Sequence, residues 1–202
     1  MITLSAIMKR VTKKRSPSSA AGTVRVIAGQ WRGRRLPVRD ANGLRPTTDR
    51  NKETLFNWLM SSVQEATCLD MFAGSGALGI EALSRYARYC VFFEKDKQTA
   101  EQLKQNLVTL GAHARVEQGD ALQLLSSAKD LCFDLVFLDP PFGQALLQPA
   151  IDALAASRCV KPGTLIYAEY EATATPLTLP DKWEWTKQKS TSSLHYGLIE
   201  VA

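Results

Sequence analysis

The chain has 202 residues, of which 45% are hydrophobic and 22% charged, with a formal net charge of +5. This composition fits one well-cored domain plus a small appendage and excludes a wholly disordered or fibrous chain; no apolar run nears the ~18 residues that a membrane span requires. The charge is uneven: residues 1–50 hold 12 of the 25 Lys and Arg but 2 of the 20 Asp and Glu, a basic arm on a mildly acidic body that suits a polyanionic partner or, equally, a solvated tail.

Residues 1–22, ending in KKRSPSSAAG, are basic and then rich in Ser, Ala, Gly and Pro. They cannot bury a core and are expected to be disordered. A short apolar start followed by charge reverses the order of a secretion signal, which predicts a cytoplasmic protein; Met1 and Met8 are both candidate starts. Val24, Val26, Leu36 and Val38 alternate with polar residues about a Gly-containing middle, predicting a β-hairpin or short ribbon over 23–39. Phe56, Leu59, Met60 and Val63 then recur at helical spacing. They predict an amphipathic helix over 50–63, capped by Thr48 or Asp49, which with the ribbon makes an N-terminal unit of residues 23–63.

Residues 64–202 form the main domain in this reading. Strands are expected at 67–72, 89–94, 114–118, 133–138 and 164–169. Helices are expected at 97–110, where Ala100, Leu103, Leu107 and Leu110 make a stripe, and at 146–157, where Leu147, Ala150, Ile151 and Leu154 make another. Alternating strand and helix with apolar strands predicts an α/β, Rossmann-like fold, a mostly parallel sheet covered on both faces. Residues 183–189 and 194–201, joined by Ser190–Ser193, read as an antiparallel hairpin on the sheet edge. Cys68, Cys90, Cys132 and Cys159 are widely spaced, with no close ligand pair, so no metal is expected. Cys68, Cys90 and Cys132 lie in or beside apolar runs and read as buried small hydrophobes.

Strand 67–72 runs into a turn in which Gly74, Gly76 and Gly79 match G-x-G-x-x-G in the strand–turn–helix setting that gives the pattern meaning. A tight turn with no ligand would use the same glycines. Glu94 ends the second strand, where a carboxylate can accept both hydroxyls of a ribose. Asp70, just before the glycines, would oppose a pyrophosphate lying over the loop. It suits a ligand with an amino group and no phosphates, such as S-adenosylmethionine. Asp120 is placed to reach an adenine amino group or, with equal weight, to cap a helix at 121–127.

The fourth strand ends in Asp139-Pro140-Pro141-Phe142. Open α/β sheets bind ligands at the carboxyl ends of their strands. Two prolines fix the backbone and remove two N–H donors, leaving rigidly aimed carbonyls; Asp139 adds an acceptor and Phe142 a flat face. The set suits a planar base with an exocyclic amine, although a strand end closed by Pro-Pro over a core Phe would read alike.

On these residues the sequence resembles a known group. DMFAGSGALG, FFEKD and FLDPPF are similar to the cofactor loop, ribose acid and catalytic motif of class I S-adenosylmethionine-dependent amino-methyltransferases. IAGQWRGRRLPV and GLRPTTDRNKETLFNWL resemble the RsmD family specifically, over about residues 24–200. The resemblance implies methylation of N2 of one guanine, position 966, in 16S ribosomal RNA, presented as RNA or as a small-subunit assembly particle. It implies cofactor contacts at Asp70, Phe72, Gly74, Gly76, Glu94, Asp120 and Ala121, and a base-holding site at Asp139, Pro140, Pro141 and Phe142. It turns the ribbon and the Arg45–Arg50 segment toward RNA. Arg25, Arg32, Arg34, Arg35, Arg45 and Arg50 would then neutralise phosphates, and Trp31 would stack on a nucleotide or pack inward. A monomer is expected from size, and no membrane contact from the lack of a long apolar run. Asn51-Lys52 departs from the family's apolar residue followed by Arg, and the Lys loses a bidentate fork for a phosphate or a cofactor carboxylate. A DNA adenine-N6 methyltransferase is the nearest rival, since the same tetrapeptide can hold an adenine amine. A nicotinamide oxidoreductase and a non-catalytic assembly factor are the others.

Overall fold

The computed structural model describes residues 22–39, 49–128 and 130–202. The expectations for the basic tail, for a Thr48 cap and for Arg45 therefore lie outside the described residues, except that Gly22 already belongs to the first strand. The described elements, in chain order, are β1 (Gly22–Arg25), β2 (Arg35–Val38), α1 (Asp49–Trp58), β3 (Thr67–Asp70), α2 (Ala77–Ser84), β4 (Tyr89–Glu94), α3 (Lys97–Leu110), β5 (Ala114–Gln118), α4 (Ala121–Ser127), β6 (Leu135–Leu138), α5 (Leu147–Ala156), β7 (Leu165–Glu171), β8 (Trp183–Ser190) and β9 (Leu194–Val201).

β1 and β2 pair antiparallel, with Val24 opposite Leu36 and Arg25 opposite Arg35, which is the ribbon the alternation predicts. The other seven strands form one sheet in the order β5-β4-β3-β6-β7-β9-β8. The first five are parallel. β9 inserts antiparallel between β7 and β8, so the predicted terminal hairpin forms the sheet edge. The chain runs outward from β3 in both directions, which makes the β3–β6 boundary the switch point of the topology.

Each inner strand is apolar on both sides because both faces are covered. Cys68, Cys90, Phe92, Leu135, Phe137 and Tyr167 face a core shared with α1, α2, α3 and the ribbon's Val24, Val26 and Leu36. Leu69, Val91, Phe93, Val136, Leu138 and Ile166 face the core under α4 and α5. The period-2 alternation of strand side chains sorts them. Helix α2 is buried all round from Leu78 to Ser84, because it lies between the sheet and the ribbon. Among the described residues no helix is long and apolar enough to cross a membrane.

Three local expectations need correction. Helix α1 stops at Trp58 and passes into tight turns, where the Leu59 carbonyl accepts from Ser62 N–H at 2.9 Å. The helical period no longer holds there, and Met60, expected inward, is 77% exposed. Strand β3 ends at Asp70 rather than at residue 72, since the chain leaves the sheet to start the glycine turn. Cys132 is exposed, while Cys159 is buried with Cys68 and Cys90, and all four thiols are free.

Lys52 is the largest surprise. It occupies the first position of the buried α1 face with Leu55, Phe56 and Leu59, and it is 1% exposed. Its ammonium donates to the Arg25 carbonyl at 2.6 Å and faces Asp49 at 3.8 Å. Burial lowers its pKa, while Glu81 and Asp49 raise it. Lys52 therefore ties α1 to the ribbon inside the protein and is not a clamp for a phosphate or a cofactor carboxylate. One long, flexible stem with a compact charge meets one carbonyl without needing a guanidinium fork.

The ribbon's loop is fastened to α2 as well. Glu81, fully buried, accepts from Ile27 N–H at 2.8 Å, Ala28 N–H at 3.0 Å and Arg85 Nε at 2.8 Å. The Ser84 hydroxyl donates to the Ala28 carbonyl and accepts from Trp31 N–H. Trp31 packs against the first core, so the inward alternative holds for it.

Candidate active site

The carboxyl ends of β3, β4, β5 and β6 converge. β3 and β4 pair Asp70 with Phe92, and β3 and β6 pair Asp70 with Phe137. Beyond the strands, Met71 N–H donates to the Phe137 carbonyl at 3.1 Å, Ala73 N–H to Phe93 at 2.9 Å and Gly119 N–H to Glu94 at 2.9 Å. The glycine turn and the Asp139–Phe142 segment thus leave adjacent strands at the switch point, where a ligand crevice is expected.

The glycines have distinct physical reasons. Gly76 caps α2 with φ of +77°, a left-handed conformation that costs an L side chain about 1–2 kcal/mol. A Cβ on Gly79 would stand 2.3 Å from the Phe92 ring, so this glycine lets α2 lie against β4. Gly74 N–H donates to Glu94 Oε2 at 2.7 Å, and Glu94 Oε1 accepts from Asp96 N–H at 2.7 Å. Glu94 therefore braces two loops at once and remains half-buried.

Asp70 is 2% exposed, and its Oδ2 accepts from Gly79 N–H at 3.0 Å, pinning the first turn of α2. Burial pushes its carboxyl up to about 7; the Gly79 bond pulls it down and the nearby Glu94 charge adds to the rise. The folded state thus keeps a proton that the unfolded chain sheds from its ordinary pKa of 3.8. This group's contribution to stability therefore falls as pH climbs from about 4 to about 7 and is level above. Asp70→Asn, neutral at every pH, is expected to flatten that window. Between pH 4 and 7 the wild type should lose on the order of 3–4 kcal/mol more than the variant in urea unfolding. Parallel pH profiles would refute this.

Asp120 caps α4, accepting from Leu122 N–H at 3.2 Å, and pairs with Lys95 at 3.5 Å. The capping alternative is thus realised. Ala121 is buried beside it and Phe72 packs half-buried on the second core. Pro140 is buried, Pro141 exposed and Phe142 36% exposed, enough to offer a ring face. Gly143 N–H donates to Glu171 Oε2 at 3.3 Å, tying this loop to β7. Pro140, Pro141, Phe142, Glu169, Tyr170 and Glu171 line a cleft of about 160 Å³. A larger hollow of about 780 Å³, lined by Leu122, Leu125 and Ala153 among others, lies off α4 and α5, away from the strand ends.

Arg25, Arg32, Arg34 and Arg35 are exposed on the ribbon, and Arg50 is exposed at the start of α1. The anchoring role of two residues escaped the sequence reading. Glu81 and Lys52 hold the arginine-bearing ribbon, through partners 53 and 27 residues away that no local pattern reveals.

The residues fit a nucleoside cofactor without phosphates. In a phosphate-binding turn the glycine N–H groups point at the anion; here the Gly74 N–H is bound to Glu94, whose negative charge stands where a phosphate would come. The carboxylate keeps acceptor capacity for hydroxyls.

Comparison with known proteins agrees with this architecture. Residues 24–200 match the family model described as conserved hypothetical protein 95. The chain is 48% identical over 192 residues to the Haemophilus influenzae protein named ribosomal RNA small subunit methyltransferase D, covering 93% of this chain and 99% of the relative. It is 45% identical over 188 residues to the Escherichia coli K12 protein of the same name, covering 93% and 94%. A solved Escherichia coli structure, yhhF, superposes with a TM-score of 0.83 at 44% identity, covering 89% of this chain and 98% of that one. With the glycine turn, the Glu94 brace and the Asp139–Phe142 segment at the carboxyl ends of neighbouring strands, and with relatives matched over nearly their whole length, the chain belongs to the conserved hypothetical protein 95 family, the RsmD family.

Proposed function

We propose that this protein transfers a methyl group from S-adenosylmethionine to the exocyclic N2 of a guanine in small-subunit ribosomal RNA, the nucleotide at position 966 of 16S RNA. The adjacency of the Asp139–Phe142 segment to the glycine turn, with Pro140, Pro141 and Phe142 opening on a cleft toward β7, carries this reading. Relatives named as small-subunit ribosomal RNA methyltransferases support the substrate class.

When bound, the cofactor supplies an electrophilic methyl on a sulfonium sulfur; the sulfur–carbon bond breaks as the nitrogen–carbon bond forms, and the amine then loses a proton. Glu94, at the tip of β4, accepts ribose hydroxyls, and Asp120 reaches the adenine amine with acceptor capacity that its cap and Lys95 leave over. Asp70 acts through Gly79 by fixing the turn. Phe72, Gly74, Gly76 and Ala121 wall the cofactor side.

The guanine N2 lone pair is delocalised into the ring, so nitrogen is a poor nucleophile. Asp139 and the Pro140 carbonyl accept its two hydrogens and favour a pyramidal nitrogen whose lone pair faces the methyl. Phe142 stacks on the ring, and Pro141 stiffens the backbone. Catalysis is then positioning and electrostatic complementarity. The base must leave its stack, at a cost of a few kcal/mol when paired.

The test is transfer of labelled methyl to small-subunit RNA and particles from cells lacking the modification, followed by nucleoside analysis. N2-methylguanosine is the expected product. Label on adenine, or in DNA alone, would overturn the reading and favour the rival. On the RNA side, replacing Arg32, Arg34 and Arg35 by Ala is expected to raise the RNA KM and to lower the salt slope by about 2–3. An unchanged slope would take the ribbon out of the interface.

A further inference from the structure

A second acid stands beside the base-holding segment, in β7. Leu138 and Ala168 pair in parallel register, so the next residues, Asp139 just past β6 and Glu169 still within β7, stand side by side. Glu169 lines the same cleft as Pro140, Pro141 and Phe142, and it is 4% exposed. Tyr167, two residues back on the same face of β7, donates its hydroxyl to Glu169 Oε2 at 2.6 Å. Burial, and then the Glu169 charge, push the Tyr167 phenol well above its ordinary pKa, so it stays a donor. Burying a carboxylate is costly. A carboxylate has about four acceptor positions, more than the Tyr167 hydroxyl fills.

A flipped base is read on its Watson–Crick edge. Guanine presents the N2 hydrogens and then the N1 hydrogen, an unbroken row of donors. Adenine presents the N6 hydrogens and then the N1 lone pair. Two adjacent acids match the first row and repel the second. We propose that Glu169 is a specificity-determining residue that accepts the N1–H of the target guanine while Asp139 and the Pro140 carbonyl hold its N2 amine. The inference rests on the base-holding role given above to the Asp139–Phe142 segment. Tyr167 acts through Glu169 by fixing the carboxylate, and is a positioning residue.

The experiment uses the full chain and small-subunit RNA carrying either guanine or 2-aminopurine at the target. 2-Aminopurine keeps the N2 amine but offers a lone pair at N1. Sites built to hydrogen-bond a donor reject analogues lacking it by up to about 10⁴–10⁵, and the wild type is expected to disfavour 2-aminopurine at least ~100-fold in kcat/KM. In Glu169→Gln the amide can donate to that lone pair, so the preference for guanine should collapse at least ~10-fold, with cofactor affinity unchanged. Tyr167→Phe retains the carboxylate but loses the bond that fixes it, and should weaken the preference less than Glu169→Gln does. Wild-type methylation of 2-aminopurine within ~3-fold of guanine would overturn the proposal whether or not the variant folds. So would Glu169→Gln that keeps full guanine preference. If the wild type forms no N2-methylguanosine in the guanine RNA, the reading of the reaction fails first, and that outcome is separate from both of these.

Discussion

Asp139→Ala is expected to lower the single-turnover rate of methyl transfer by about 10²–10³-fold, the cost of removing one preorganised group at a site of developing charge. Cofactor affinity should survive at reduced strength, because Asp139 lies on the β6 side of the crevice and Glu94 braces the opposite side. The side chain carries one of two acceptors for the amine, and the remaining one, the Pro140 carbonyl, cannot orient the nitrogen alone. Asp139→Asn keeps one acceptor oxygen and should fall between the wild type and Ala. Single-turnover transfer with saturating cofactor checks this; full activity of the Ala variant would remove Asp139 from the chemistry.

Glu81→Ala is expected to destabilise the protein by about 3–5 kcal/mol, the usual cost of removing one partner from a buried charged network. The fully buried carboxylate satisfies two backbone N–H groups of the ribbon loop and the Arg85 guanidinium, and it also raises the pKa of buried Lys52. Without it those donors lose their acceptor in a dry site, and the ammonium loses a countercharge. Urea unfolding measures the loss, and hydrogen exchange locates it, since the Ile27 and Ala28 amides should lose protection first. The RNA KM should also rise, because Arg32, Arg34 and Arg35 ride on the loop and strand that Glu81 anchors. A loss under about 1 kcal/mol would show that the ribbon is held by its apolar side chains instead.

Much of the fold is legible in the sequence wherever one period dominates. Helix α3 and strands β4, β5 and β9 fall within their expected bounds, since a clear stripe or an apolar run is flanked by turn residues. The placement of the glycine turn and of the Asp139–Phe142 segment at strand ends is equally legible, because glycine turns and Pro-Pro strand ends are local. Lys52 and Glu81 are not, because a charged residue reads as solvated unless its partner is known, and theirs are distant in sequence. Asp70 reads as a ligand acid until its bond to Gly79 is seen, which gives it a task inside the turn. Glu169 sits inside an expected strand, and its only local signal is a Tyr two residues before it on the same face of β7.

The insertion of β9 between β7 and β8 has a consequence for folding. Among the described residues β8 pairs with β9 alone, so it joins the sheet only through β9. Until Leu194–Val201 dock, β7 presents a bare row of amides and carbonyls, able to template association with other incompletely folded chains. Slow docking of β9 would therefore expose the protein to edge-to-edge aggregation.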